Sequence, residues 1–170
     1  DDAVEVRVHP VFMDEKSSLA SLQGVRNGVE LETDLVGKVH LAGSGAGRES
    51  TASGLISDLI SLARSNNKLP SRSDHPPVKI IEFSSSIFKY YFYLEVDDEL
   101  GAAASITSCF AKYGISLESI IQEDHLQNNI APMIITTDPT SEKNAQATLE
   151  ELSNLGPVSS SKLIRIERDS

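Results

Sequence analysis

YYFYLEVDDELGAAASITSCFAKYGISLESIIQ, residues 90–122, is the stretch on which the reading of the fold turns. Phe88, Tyr90, Phe92, Leu94 and Val96 alternate with Lys89, Tyr91, Tyr93 and Glu95, the period-two pattern of a strand with one buried face. The acidic turn Asp97-Asp98-Glu99 ends it. Gly101 opens a helix whose apolar face is Ala102, Ala103, Ile106 and Phe110, with Gly114 placed to stop it. Ile115, Leu117 and Ile121 then begin a second strand.

Working outward from there, EDHLQNN (123–129) makes a loop and residues 133–137 a third strand, with Pro132 placing that strand's start at an edge or irregular position. Ala145, Leu149, Leu152 and Leu155 mark a second helix stopped by Gly156-Pro157, and Leu163, Ile164 and Ile166 belong to a last strand. The order β-α-β-β-α-β predicts a ferredoxin-like antiparallel sheet with both helices on one face.

The first half of the chain is built differently. Val4, Val6 and Val8 alternate with Glu5 and Arg7, predicting a strand stopped at His9-Pro10; further strands are expected over about 25–33 and 38–42, together an antiparallel meander. Ala52, Leu55, Ile56, Leu59, Ile60 and Ala63 recur at helical spacing, with Ser50 or Thr51 as the N-cap. Between the halves, SNNKLPSRSDHPP (65–77) lacks any apolar period and reads as a linker. The expected organisation is an α+β chain: a partial antiparallel-sheet domain with a following helix over 1–70, a linker over 71–85, and the ferredoxin-like domain over 86–170.

Composition limits the function. A net charge of −10 disfavours phosphate backbones and anionic membranes, no apolar run is long enough to cross a bilayer, and the single cysteine, Cys109, reads as a core residue of a helix. Tyr91 and Tyr93 would face away from Phe92, as in an RNA-binding platform, but the acidic balance argues against one. His9, His40, His75 and His125 are scattered without ligand spacing, so no metal is expected, and they read as surface or turn residues. Lys16 beside Asp14, and Lys38 near Asp34, are read as solvated surface rather than as catalytic pairs. In GSGAGRESTAS, Gly43, Gly45 and Gly47 leave backbone uncovered just before a helix N-terminus, a turn able to approach a phosphate, ribose or carboxylate. It is neither a P-loop nor a dinucleotide fingerprint, because no Gly-Lys-Ser/Thr follows and Arg48 stands where a third glycine belongs.

These residues carry a resemblance. The strand, turn and helix of 90–122 resemble the start of an ACT domain, with Asp98, Gly101, Gly114, Ile115, Ser116, Ser119 and Gln122 falling on its D-x-P-G and G-I-S-I-x-S-V-I-Q pattern. Residues 6–64 resemble the end of the homoserine dehydrogenase catalytic region, with its V-H-P, its L-A-x-x-x-G-V-x-N and its G-x-G-A-G-x-x-x-T-A-S before a helix. The resemblance implies a cytoplasmic, homo-oligomeric (dimer or tetramer) enzyme that reduces aspartate semialdehyde to homoserine with NAD(P), in threonine and methionine biosynthesis. It implies that Gly47 touches the nicotinamide cofactor, with Gly43 and Gly45 shaping the turn. It further implies an amino-acid effector, threonine foremost, at Asp98, Gly101, Ala102, Ile115 and Gln122. The family's nucleotide domain and catalytic lysine precede the matching segment. The chain opens Asp1-Asp2 without methionine and reads as an interior fragment, so no catalytic residue is assigned within it and no dinucleotide binding or hydride transfer is expected of it alone. Leu100 stands where the ACT pattern has proline, and Ala102-Ala103 replace a larger aliphatic pair. A purely structural dimerisation module therefore stands as the alternative.

Overall fold

The computed structural model describes residues 3–64, 78–122 and 130–167. The chain divides into two compact units, one of residues 1–13 and 78–170, the other of residues 14–77.

In the first unit, β6 (Ile87–Asp97) is the backbone of a sheet that also holds β7 (Leu117–Gln122), β8 (Ile130–Thr137) and β10 (Val158–Ile166). Their order is β10-β6-β8-β7, antiparallel throughout, and α2 (Ala102–Lys112) and α3 (Glu142–Ser153) complete the ferredoxin-like βαββαβ plan. The alternation of β6 is realised residue by residue: Phe88, Tyr90, Phe92, Leu94 and Val96 are buried together with Ile106, Phe110, Met133, Ile135 and Leu152. Phe92 and Phe110 meet edge to face at 4.9 Å between ring centres, fastening α2 to the sheet. Cys109, not Ala103, is the other inward residue of α2; Ala103 is exposed because it lies just off the i, i+4, i+7, i+8 stripe set by Ala102, Ile106, Cys109 and Phe110. The helix stops as expected at Gly114, where Ile115 N–H donates to Phe110 C=O at 3.0 Å and Gly114 N–H to Ala111 C=O at 3.1 Å. Ser141 caps α3, its hydroxyl accepting from Asn144 N–H at 3.2 Å.

Several expectations are corrected. β8 starts at Ile130 rather than at Met133, so Pro132 lies inside it, opposite Glu95; among the described residues the pairing with β7 ends at Met133, which leaves Pro132 paired on the β6 side alone, an edge position. Residues 4–8 do not form one strand. Only β1 (Ala3–Val4) does, parallel to β5 (Lys79–Ile80), and Val6 and Val8 are exposed, because β5 offers a partner only two residues long. The segment then gives β2 (Val11–Phe12), a parallel strand added beside β10. Residues 78–85 carry β5 and a 3-10 turn (Phe83–Ser85), and β9 (Thr140–Ser141) pairs with the start of β6. The loop over 123–129 and most of the linker, with His75 and His125, lie outside the described residues.

In the second unit, β3 (Arg26–Thr33) and β4 (Gly37–Ser44) form a two-stranded antiparallel hairpin rather than a meander, since β1 pairs elsewhere. The helix α1 (Arg48–Arg64) starts before the expected cap: Ser50 lies inside its first turn and donates its hydroxyl to Gly47 C=O at 3.1 Å. No residue of α1 is buried.

Candidate functional site

Two turns carry the candidate sites, one in each unit. In the second unit, β4 runs into 43–47 and then α1. The Gly45 N–H donates to Val25 C=O at 3.0 Å, and a Cβ at Gly45 would fall 1.8 Å from the Asn27 side-chain nitrogen. Close approach of Asn27 thus explains that glycine. Gly47 has φ +124°, a conformation L side chains rarely adopt, and its C=O accepts from Thr51 N–H at 3.1 Å to begin the helix. Gly43 faces open space. The turn therefore presents bare backbone at 43 and 47 beside the positive end of a 17-residue helix, a shape that fits an anionic or hydroxyl-bearing group.

In the first unit, β6 ends in a turn held by Asp97 N–H on Pro157 C=O (2.8 Å), Glu99 N–H on Asp97 C=O (2.8 Å) and Ala102 N–H on Glu99 C=O (3.2 Å). Gly101 sits at φ +93° as the N-cap of α2, its C=O accepting from Ser105 N–H at 3.0 Å. The Ala102 amide is occupied within the turn, whereas the Gly101 N–H has no partner among the described residues. Leu100 projects fully into solvent. Strand register places Gln122 at the same end of the sheet: Gln122 lies opposite Met133, Met133 opposite Leu94, and Asp97 opposite Ile130. Asp98, Gly101, Ala102 and Gln122 are therefore brought to one end. Ile115 is not. It follows α2, about 16 Å away for a helix of that length, and its side chain belongs to the core.

Lys16 follows Asp14 in an exposed turn closed by its own N–H on the Asp14 carboxylate (2.7 Å), and Lys38 reaches Glu30 at 3.6 Å across the hairpin. Burial pushes the Cys109 thiol up, in keeping with a core residue. Among the described residues there is no group of His, Cys, Asp and Glu able to hold a metal ion. No described helix is long and apolar enough to cross a membrane.

Sequence reasoning missed a buried polar cluster. Glu142, at the first turn of α3, accepts from Tyr90 Oη (2.8 Å), Arg165 Nε (2.8 Å), Gln146 Nε2 (2.8 Å) and, through its other contact, Arg165 Nη2. Burial pushes the Glu142 carboxyl up, but the bonds from Arg165, Gln146 and Tyr90 together outweigh it and hold the group below the usual carboxylate range. Burial and the neighbouring Glu142 push the Tyr90 phenol far up, so it remains a donor. His9 and His40 are also not simple surface residues, since each has an Nδ1 shut from water without a partner among the described residues. Nothing in the sequence pattern distinguishes Glu142 or Arg165: one is an acid in a helix first turn, the other a charge within a strand, and both are ordinary on surfaces.

Comparison with known proteins agrees with this architecture. Residues 2–60 match the homoserine dehydrogenase family model and residues 90–157 the ACT domain model. The homoserine dehydrogenase of Helicobacter pylori is 36% identical over 168 residues, covering 98% of this chain and 40% of that protein. That of Corynebacterium glutamicum is 30% identical over 171 residues, covering 98% of the chain and 38% of the relative. The crystal structure of a homoserine dehydrogenase from Thiobacillus denitrificans superposes with a TM-score of 0.79 at 28% identity, covering 98% of the chain and 40% of that structure. The chain thus spans about two-fifths of the length of the relatives it matches. The chain is thus similar to the C-terminal region of homoserine dehydrogenases, with family sequence over 2–60 leading into an ACT domain over 90–157.

Proposed function

We propose that this chain is the regulatory and assembly part of a cytoplasmic, homo-oligomeric homoserine dehydrogenase, which reduces aspartate semialdehyde to homoserine with NAD(P)H, and that its ACT unit (86–170) binds threonine as a feedback effector. The observation that carries the reading is the grouping of Asp98, the open Gly101 amide and Gln122 at one end of the sheet, at the N-terminus of α2. Asp98 would meet the ammonium of an amino acid, the Gly101 amide and the helix end its carboxylate, and Gln122 its hydroxyl. Ala102 contributes shape alone, its amide being occupied. In residues 1–70, the bare backbone at Gly47 and Gly43 would lie against the cofactor, with Gly45 letting Asn27 fix the turn. The nicotinamide, when bound, supplies the hydride; this chain's part is to approach it with main chain.

Calorimetry of the chain with threonine, serine and isoleucine tests the regulatory half. Saturable heat with threonine alone, lost in Asp98→Ala and weakened in Gln122→Ala, is the expected outcome. A second reading, a dimerisation module without effector, is favoured by the exposed Leu100 and by Ile120 and Ile121 on the edge strand β7. No heat with any of the three, together with a dimer in sedimentation, would replace the first reading by the second.

A further inference from the structure

We propose that residues 3–13 form a strap that lifts from and settles onto the ACT sheet as one cooperative element, with Glu142 as the residue that ties its two ends together. This part of the chain lies within the match to homoserine dehydrogenase, yet it is built into the same compact unit as the ACT domain.

The circuit through Glu142 is closed on both sides. On one side, the Glu142 backbone N–H donates to Ser86 C=O at 2.8 Å, and the Ser86 hydroxyl donates to the Glu5 carboxylate at the strap's beginning. On the other, the Glu142 carboxylate holds the Arg165 guanidinium, and Arg165 is the β10 residue in register with Val11 near the strap's end. Between those ends His9 lies against Phe83 and Phe88 at 5.7 and 6.1 Å, the Arg165 guanidinium stacks over Phe83 at 5.0 Å, and Arg7 lies over Phe88 at 4.5 Å. Phe12 closes the run edge-on to Tyr91 at 5.0 Å.

The strap itself is weakly held. Its two strands have two residues each, and Val4, Val6, Val8 and Phe12 are exposed, so its attachment belongs to the low-stability end of the unit. Few long-lived bonds and a shared buried anchor are the ingredients of a two-state element, which coupling between distant sites requires. β6 spans the distance, with the Asp97–Gly101 turn at one end and Phe88, packed against His9 and Arg7 of the strap, at the other. The inference rests on the effector reading only for what would drive the change; the joint lifting of the strap is a property of this unit alone.

Two amides report the strap directly, because their acceptors are on it: Ile81 N–H donates to Val4 C=O (2.9 Å) and Glu167 N–H to Phe12 C=O (2.7 Å). Amide hydrogen exchange on the full chain, read residue by residue, is the test. Phe12→Ala perturbs one end only, and the expected result is exchange at least about tenfold faster at Ile81 as well as at Glu167, with the β7–β8 amides unchanged. Glu142→Gln is expected to speed both reporters together. If Phe12→Ala speeds Glu167 and leaves Ile81 alone, the strap is two independent contacts and the proposal is overturned. Should Glu142→Gln unfold the unit, Phe12→Ala and Ser86→Ala, which breaks only the Glu5 side, still decide it, the latter by acceleration at Glu167. Threonine calorimetry is run separately, so a failure of effector binding leaves these exchange results interpretable.

Discussion

The helices α1 and α2 carry the same kind of amphipathic pattern and meet opposite fates. In α2, Ile106 and Phe110 are wholly buried; in α1, Leu55, Ile56, Leu59 and Ile60 stay about half exposed. The periodicity of a sequence says which face wants burial, and only a partner element grants it. The ACT unit supplies that partner within its own residues, as sheet and second helix. In residues 14–64 a hairpin and a helix leave apolar side chains exposed, and no residue of the helix is buried.

The sharpest way to break this contrast is large-to-small substitution. Phe110→Ala should cost about 3–5 kcal/mol, because it removes a buried ring together with its edge-to-face contact with Phe92. Leu59→Ala in α1 should change stability by less than about 0.5 kcal/mol in the same urea titration. A comparable loss from Leu59 would mean that α1 is packed in solution. Next in size, Glu142→Gln should cost about 2–4 kcal/mol, since it leaves the Arg165 guanidinium buried without its counter-charge. Lys112→Ala, which removes the exposed pair with Glu151, should leave the urea midpoint where it was.

Acid sharpens the comparison in another way. Burial, then Arg165 and Arg7, hold the His9 imidazole below its usual range against the opposing Glu142 and Glu167. The unfolded chain therefore takes up the proton first. Stability from this group is complete above the ordinary imidazole range and declines as pH falls through it toward the lowered folded value. Glu142 adds a second loss at lower pH, as pH falls through the ordinary carboxylate range toward its lowered folded value. Strap amides should lose protection in the first step while the β7–β8 amides hold, and His9→Gln should remove that step. At the cap of α3 the effect is modest: Ser141→Ala should cost about 1 kcal/mol in thermal unfolding, by orphaning the Asn144 N–H.

The ferredoxin-like core was legible because each inward position of β6 is large and apolar and each helix ends on glycine or a clear turn, so local pattern and tertiary burial agree. The glycine turn before α1 and the Asp98–Gly101 turn were legible as turns for the same reason. The strap was not. The valines at 4, 6 and 8 alternate like a strand, but whether they pair depends on β5 and β10, which lie far along the chain. Glu142 and Arg165 were invisible because a buried pair is written with the same letters as a surface one. Ile115 misled in the reverse direction, matching a family pattern while serving the core.

The short strand β2 has one more effect, on how copies of this chain can meet. Without it, β10 would be a bare nine-residue rim of the sheet and β7 another, and rims at both sides invite endless side-by-side stacking. Val11 and Phe12 occupy the end of one rim, where the Phe12 carbonyl also takes the Glu167 amide. Among the described residues β7 is then the rim with no neighbouring strand along its outer side, the side on which an added strand would find a full run of partners.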